Sequence, residues 1–116
     1  LRLSAAQGDD FVTHDRAGRN EFVLVGEQSL LIQCGRLLLA RGQIVRAVVA
    51  SDARIAQWCV SHDIPCLDGI EALRTAGPRS SCDYLISVTN LRVLPPWLIA
   101  WPARMAINFH DGPLPE

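Results

Sequence analysis

The stretch Phe22-Val23-Leu24-Val25-Gly26-Glu27-Gln28-Ser29-Leu30-Leu31 decides the fold. Its first four residues are β-prone and apolar without alternation, the pattern of a strand covered on both faces. Gly26 ends that run, and Ser29 stands where a helix cap is needed. Leu30, Leu31, Cys34, Leu37, Leu38 and Arg41 then recur at helical spacing, with Gly42 closing the helix. Ile44-Val45-Arg46-Ala47-Val48-Val49-Ala50 reads as the second strand.

The alternation continues outward from this unit. Ser51 or Asp52 caps a helix with Ile55, Ala56, Cys59 and Val60 on one face, and Ile64-Pro65-Cys66-Leu67 is a short extended piece suited to a sheet edge. Asp68 caps a brief helix through Ile70, Glu71 and Leu73, stopped by Gly77-Pro78. Tyr84-Leu85-Ile86-Ser87-Val88 is a further strand, Pro95-Pro96 opens a short helix carrying Trp97, Leu98, Ile99 and Trp101, and Met105-Ala106-Ile107-Asn108-Phe109 is the last strand. Strands and helices alternating every ten to fifteen residues or so predict an α/β fold with an open, mostly parallel sheet. Residues 1–20 are polar and aperiodic, a linker or weakly ordered lead-in, which leaves 21–116 as the domain proper.

Composition removes several function classes. The chain has 116 residues, 49% of them hydrophobic, so it is a single domain with material for a core. Eleven basic residues against twelve acidic leave a net charge of −1 without like-charge runs, which argues against a nucleic-acid or membrane-surface partner. Every basic residue is Arg, so Schiff-base chemistry has no lysine to use. No apolar run suggests a transmembrane span or a signal peptide. Cys34, Cys59, Cys66 and Cys82 are widely spaced without a Cys-x-x-Cys pair, so they read as small reduced hydrophobes rather than metal ligands, and the compartment reads as cytoplasm. Trp58, Trp97 and Trp101 read as core or rim packing, and His62 as a surface residue at a helix C-terminus.

Ligands of open α/β sheets collect at the carboxyl ends of strands, and three such ends stand out. Val25-Gly26-Glu27-Gln28-Ser29 has neither Gly-x-Gly-x-x-Gly nor a P-loop, which disfavours a nucleotide-binding oxidoreductase domain. Val88-Thr89-Asn90-Leu91-Arg92-Val93-Leu94-Pro95-Pro96 interleaves polar and apolar residues and is pinned by proline, a loop suited to a flat heterocycle. Ile107-Asn108-Phe109-His110-Asp111-Gly112-Pro113-Leu114-Pro115 carries the most chemistry. Alternation puts Asn108 and His110 on one side of the strand and Ile107 and Phe109 on the other. A carboxamide that can donate to an oxyanion, beside an imidazole that can move a proton, suits acyl transfer.

Asn-Phe-His-Asp-Gly-Pro-Leu-Pro over 108–115 resembles the Asn-x-His-x-Ser-x-Leu-Pro motif of the 10-formyltetrahydrofolate-dependent formyltransferase family. The resemblance covers about residues 21–116, the amino-terminal, Rossmann-like part of that fold, truncated here after the catalytic motif. It implies catalytic roles for Asn108 and His110. It also implies a pterin-binding loop at Arg92, Val93 and Leu94, with the folate site completed by Gly112, Pro113, Leu114 and Pro115. The donor implied is 10-formyltetrahydrofolate, and the acceptor a small-molecule or carrier-bound amine. Gly112 stands where the family has Ser, and Asp111 reads as a loop residue. The family's third catalytic residue, an Asp, is implied beyond Glu116, so the segment alone is expected to be inactive and continuous with further domains, as in a larger synthase. Glu27 would repel phosphate, which points to an amino-acid-like or sugar amine. The alternatives are a 10-formyltetrahydrofolate hydrolase and a non-catalytic binding or docking domain.

Overall fold

The computed structural model describes residues 18–75, 82–88 and 94–109. In this region the chain forms β1 (Glu21–Val25), α1 (Leu30–Ala40), β2 (Ile44–Val49), α2 (Ala53–Ser61), β3 (Cys66–Leu67), α3 (Glu71–Thr75), β4 (Tyr84–Val88), α4 (Pro96–Ile99) and β5 (Met105–Phe109). The strands make one sheet in the order β3-β2-β1-β4-β5, and every pairing is parallel. This is the Rossmann-like α/β architecture expected from the alternation of elements.

Alternation along the strands sorts the core into two layers. Phe22, Leu24, Val45, Val48, Tyr84, Ile86 and Val88 join α1 and α2 on one face. Val23, Val25, Ala47, Val49 and Leu85 join Leu73 of α3 and Leu98 of α4 on the other. The first two crossovers carry the chain from β1 outward to β3. The next returns it past β1 to β4, so the winding direction reverses and the later helices lie on the opposite face. The reversal places a topological switch point between β1 and β4.

The helices follow their sequence with three instructive differences. α1 buries Leu31, Cys34, Gly35 and Leu38, the i, i+3, i+4, i+7 stripe. Its cap residue Ser29 makes no side-chain bond, because its backbone is already helical and the Leu31 and Ile32 amides are taken by the Gln28 and Ser29 carbonyls. In α2 the cap is Asp52, whose Oδ1 accepts from the amides of Arg54 (2.8 Å) and Ile55 (3.2 Å). Those amides, Ile55 foremost, with the Arg54 guanidinium, hold the Asp52 carboxyl below its usual range. The buried stripe of α2 is Ile55, Trp58 and Cys59, whereas Val60 is 76% exposed, contrary to its expected place on that face. Trp58 takes the inward position because Gly35 leaves room for its ring: a Cβ at Gly35 would lie 2.4 Å from Trp58 Cη2. Asp68, expected as a cap, instead accepts the Ser51 hydroxyl at 3.1 Å.

Both long helices end in the same six-residue closure. Gly42 (φ 77°) and Asp63 (φ 57°) adopt the left-handed conformation, and the Gln43 and Ile64 amides reach back to Leu38 and Cys59. His62, at the C-cap of α2, is exposed with Nδ1 3.0 Å from the Trp58 carbonyl, in keeping with a helix-end role. Trp97 and Trp101 pack partly buried against the α4 layer, and the Arg74 guanidinium lies 4.9 Å over Trp97. Asn20, placed by sequence at the end of a lead-in over 1–20, is buried and its amide donates to Gln43 Oε1 at 2.8 Å. Residues 1–17 lie outside the described residues.

All four cysteines are free thiols, and Cys34, Cys59 and Cys82 are buried. Burial raises their thiols from 9.0, to about 11 for Cys34 and to about 12 for Cys59 and Cys82. The folded chain therefore holds these protons to higher pH than the unfolded chain. Their contribution to stability is full below pH 9 and is lost as pH rises toward the folded values. Urea melts at stepped pH should show a flat plateau near neutrality and a decline that begins near pH 9. Thiol titration of the native protein at neutral pH should modify Cys66, the half-buried one, well before the other three.

Candidate functional site

The amino ends of the strands are stitched by polar groups. Asp83 Oδ2 accepts from the Glu21 amide at 2.8 Å, Arg46 pairs with Glu21 at 2.7 Å, and the Arg104 guanidinium lies 4.0 Å from Asp83.

At the carboxyl edge, register aligns Leu67, Val49, Val25, Ser87 and Asn108 in one row across the whole sheet. Partners in a parallel row project to the same face, here the face of α3 and α4. Ile107 and Phe109 pack on the opposite layer and Ala106 on this one, so Asn108 has the orientation its spacing implied. It is exposed at the end of β5. Leu94 is partly buried on this same layer, just ahead of α4. Of the residues singled out from sequence, Asn108 and Leu94 are therefore brought to one face. His110, Arg92, Val93, Gly112, Pro113, Leu114 and Pro115 lie outside the described residues.

The switch point is tight. Gly26 donates its amide to the Val49 carbonyl at 3.1 Å, and a Cβ at Gly26 would sit 2.5 Å from the Val88 carbonyl oxygen. Only glycine fits a backbone approach of that kind. The end of β4 therefore lies directly against the end of β1.

Glu27, next along, turns its carboxylate into the β2–α2 turn. Oε1 and Oε2 accept from the Ser51 amide at 2.8 and 2.9 Å, and Oε1 accepts from Asp52 at 2.9 Å. Amides that could have cradled a phosphate are thus occupied by the chain's own carboxylate. Glu27, Asp52 and Asp68 surround Ser51 and make this part of the edge acidic. Replacing Glu27 by Ala should cost about 1 kcal/mol in urea unfolding, the low end for charge-assisted bonds because the turn is solvent-exposed.

Sequence reasoning missed Ser87. It is 1% exposed, and its Oγ has no hydrogen-bond partner among the described residues. The available signal was a hydroxyl set in an otherwise apolar interior strand. Its meaning needed the register that pairs it with Asn108. On the opposite face a shallow apolar depression of about 230 Å³ is lined by Leu30, Gln33, Cys34, Leu37 and Phe109, and it does not join this site. Among the described residues no His, Cys, Asp and Glu side chains group to hold a metal ion, and no helix is long and apolar enough to cross a membrane. Neither a protein-family model nor a curated protein matches the chain.

Proposed function

We propose that the chain is the donor-binding half of an enzyme that transfers a formyl group from 10-formyltetrahydrofolate to a substrate amine. The observation that carries this reading is Asn108: an exposed carboxamide at the end of β5, beside the switch-point strand and on the same face as Leu94. The Asn-x-His spacing at 108–110 and the loop preceding Pro95 support it from the sequence.

In this mechanism the acceptor nitrogen attacks the formyl carbon, and the carbonyl oxygen becomes an oxyanion that receives the Asn108 NH₂. His110 donates to the same oxygen or passes a proton to N10 of the folate as the N10–carbon bond breaks. The amine loses one proton overall, to the Asp that the resemblance implies as the family's third catalytic residue. Glu27 favours an acceptor without a phosphate group, since its carboxylate holds the neighbouring turn amides. Four free thiols suit a reducing compartment such as the cytoplasm.

Calorimetric titration of 5-formyltetrahydrofolate, a stable stand-in for the donor, into the full-length protein tests the reading. Micromolar or tighter binding that weakens on substitution of Arg92 or Leu94 supports it. Absence of heat from a folded protein removes the donor. Product analysis then separates transfer, which yields a formylated amine, from hydrolysis, which yields formate.

A further inference from the structure

Ser87 is the second residue of a pair whose first member is already in the proposed mechanism. Its Oγ is buried with no hydrogen-bond partner among the described residues, which is unfavourable relative to a satisfied hydroxyl or an apolar replacement. An alanine or valine would serve β4 better if the strand had only to pack. On one side Ser87 faces the apolar Val25 of β1, and on the other its register partner is Asn108 of β5. The two side chains leave the sheet on one face, a single strand spacing apart. Rotation about χ1 is enough to bring a hydroxyl and a carboxamide into hydrogen-bond range across that gap.

We infer that Ser87 is a positioning residue for Asn108: its hydroxyl donates to Asn108 Oδ1 when the carboxamide turns its NH₂ outward toward the reacting oxygen. The inference rests on the formyl-transfer reading for what the NH₂ faces. The chemistry makes the pairing directional. Of the two ends of a carboxamide, the nitrogen donates to an oxyanion and the oxygen would repel it. Turning the nitrogen outward drives Oδ1 against β4, where the chain offers it the Ser87 hydroxyl. That bond also polarises the amide and strengthens the outward N–H as a donor. The cost of the unpartnered hydroxyl in the unliganded protein is then recovered at the moment the ligand selects this rotamer.

The test uses Ser87→Ala in the full-length protein with three readouts. Thermal unfolding without ligand should show a melting temperature equal to or above wild type, because a buried unsatisfied group has been removed. Formyl transfer should show kcat reduced about tenfold with the donor KM unchanged, the loss of one hydrogen bond made on the way to the transition state. Hydrogen exchange of the Asn108 side-chain amide, followed by ¹⁵N NMR with saturating 5-formyltetrahydrofolate, should be several-fold faster than in wild type. Unchanged kcat and exchange would overturn the inference, as would a kcat loss that tracks a lowered melting temperature. If the folate moves the Asn108 signals equally in both proteins, the formyl-transfer reading stands and the role of Ser87 falls. If it moves them in neither, both fall.

Discussion

Under the proposed formyl transfer, Asn108→Ala is expected to bind 5-formyltetrahydrofolate as wild type does and to transfer the formyl group about 10²–10³-fold more slowly, the usual cost of one oxyanion donor. The affinity half of this expectation follows from position. Asn108 is exposed, and its strand neighbours Ile107 and Phe109 anchor β5 in the opposite layer, so truncating the carboxamide opens no cavity. The rate half follows from charge, since in the proposed reaction the amide would meet full negative charge only once the tetrahedral intermediate forms. Asn108→Asp is the sharper companion: it keeps size and strand position but aims a carboxylate at the oxyanion, and its turnover should fall at least as far. His110→Ala should likewise lose orders of magnitude in turnover with folate affinity intact. Steady-state kinetics with a calorimetric Kd on each variant checks these together, and wild-type turnover in Asn108→Ala would remove the mechanism.

Gly26→Ala carries the largest expected effect on stability. The added Cβ would meet the Val88 carbonyl oxygen at 2.5 Å and Leu31 Cδ1 at 3.4 Å. The second contact can be relieved by a rotamer, but the first is backbone against backbone between the two central strands. Relief requires β1 and β4 to part at their carboxyl ends, where Val25 pairs with Ser87. Overpacking of this kind costs about 1–3 kcal/mol. In a domain this small that lowers the melting temperature by roughly 5–20 °C. Under the proposed function, donor binding should suffer beyond the stability loss, because Val25, Ser87 and Val88 at the carboxyl edge are themselves displaced. Gly69→Ala is the control: nothing lies within 4 Å of the place its methyl group would take, and its melting temperature should stay within a degree or two of wild type.

The strands and the layering were readable from periodicity alone, because near-continuous apolar runs such as Phe22–Val25 and Tyr84–Val88 mean burial on both faces. The polarity of Asn108 relative to Ile107 and Phe109 needed nothing beyond the two-residue repeat. Errors came where a position answers to something distant. Val60 looked apolar enough for the buried stripe of α2, yet Trp58 claims the inward place because Gly35, on another helix, makes room for it. Ser29 had the right chemistry for a cap, but the turn before it supplies carbonyls to the same amides. Glu27 was legible as a negative charge, whereas its capture by amides 24 and 25 residues away was not. Ser87 acquires meaning only through sheet order, which brings β4 and β5 side by side.

The sheet order also sets a schedule for folding. β1, β2 and β3 are joined by short successive crossovers, so their pairing requires only modest loops to close. β4 must come back to β1 over a far longer separation: the Glu21 amide and the Asp83 carboxylate that bond across this seam stand 62 residues apart. Loop-closure entropy and the slow kinetics of non-local parallel pairing both weigh on that seam. Pairing among β1, β2 and β3 is therefore expected to precede the docking of β4. Ser87, Asn108 and the switch point come into existence with the last strands to dock. Under mild denaturant, ligand recognition should vanish ahead of helical circular dichroism.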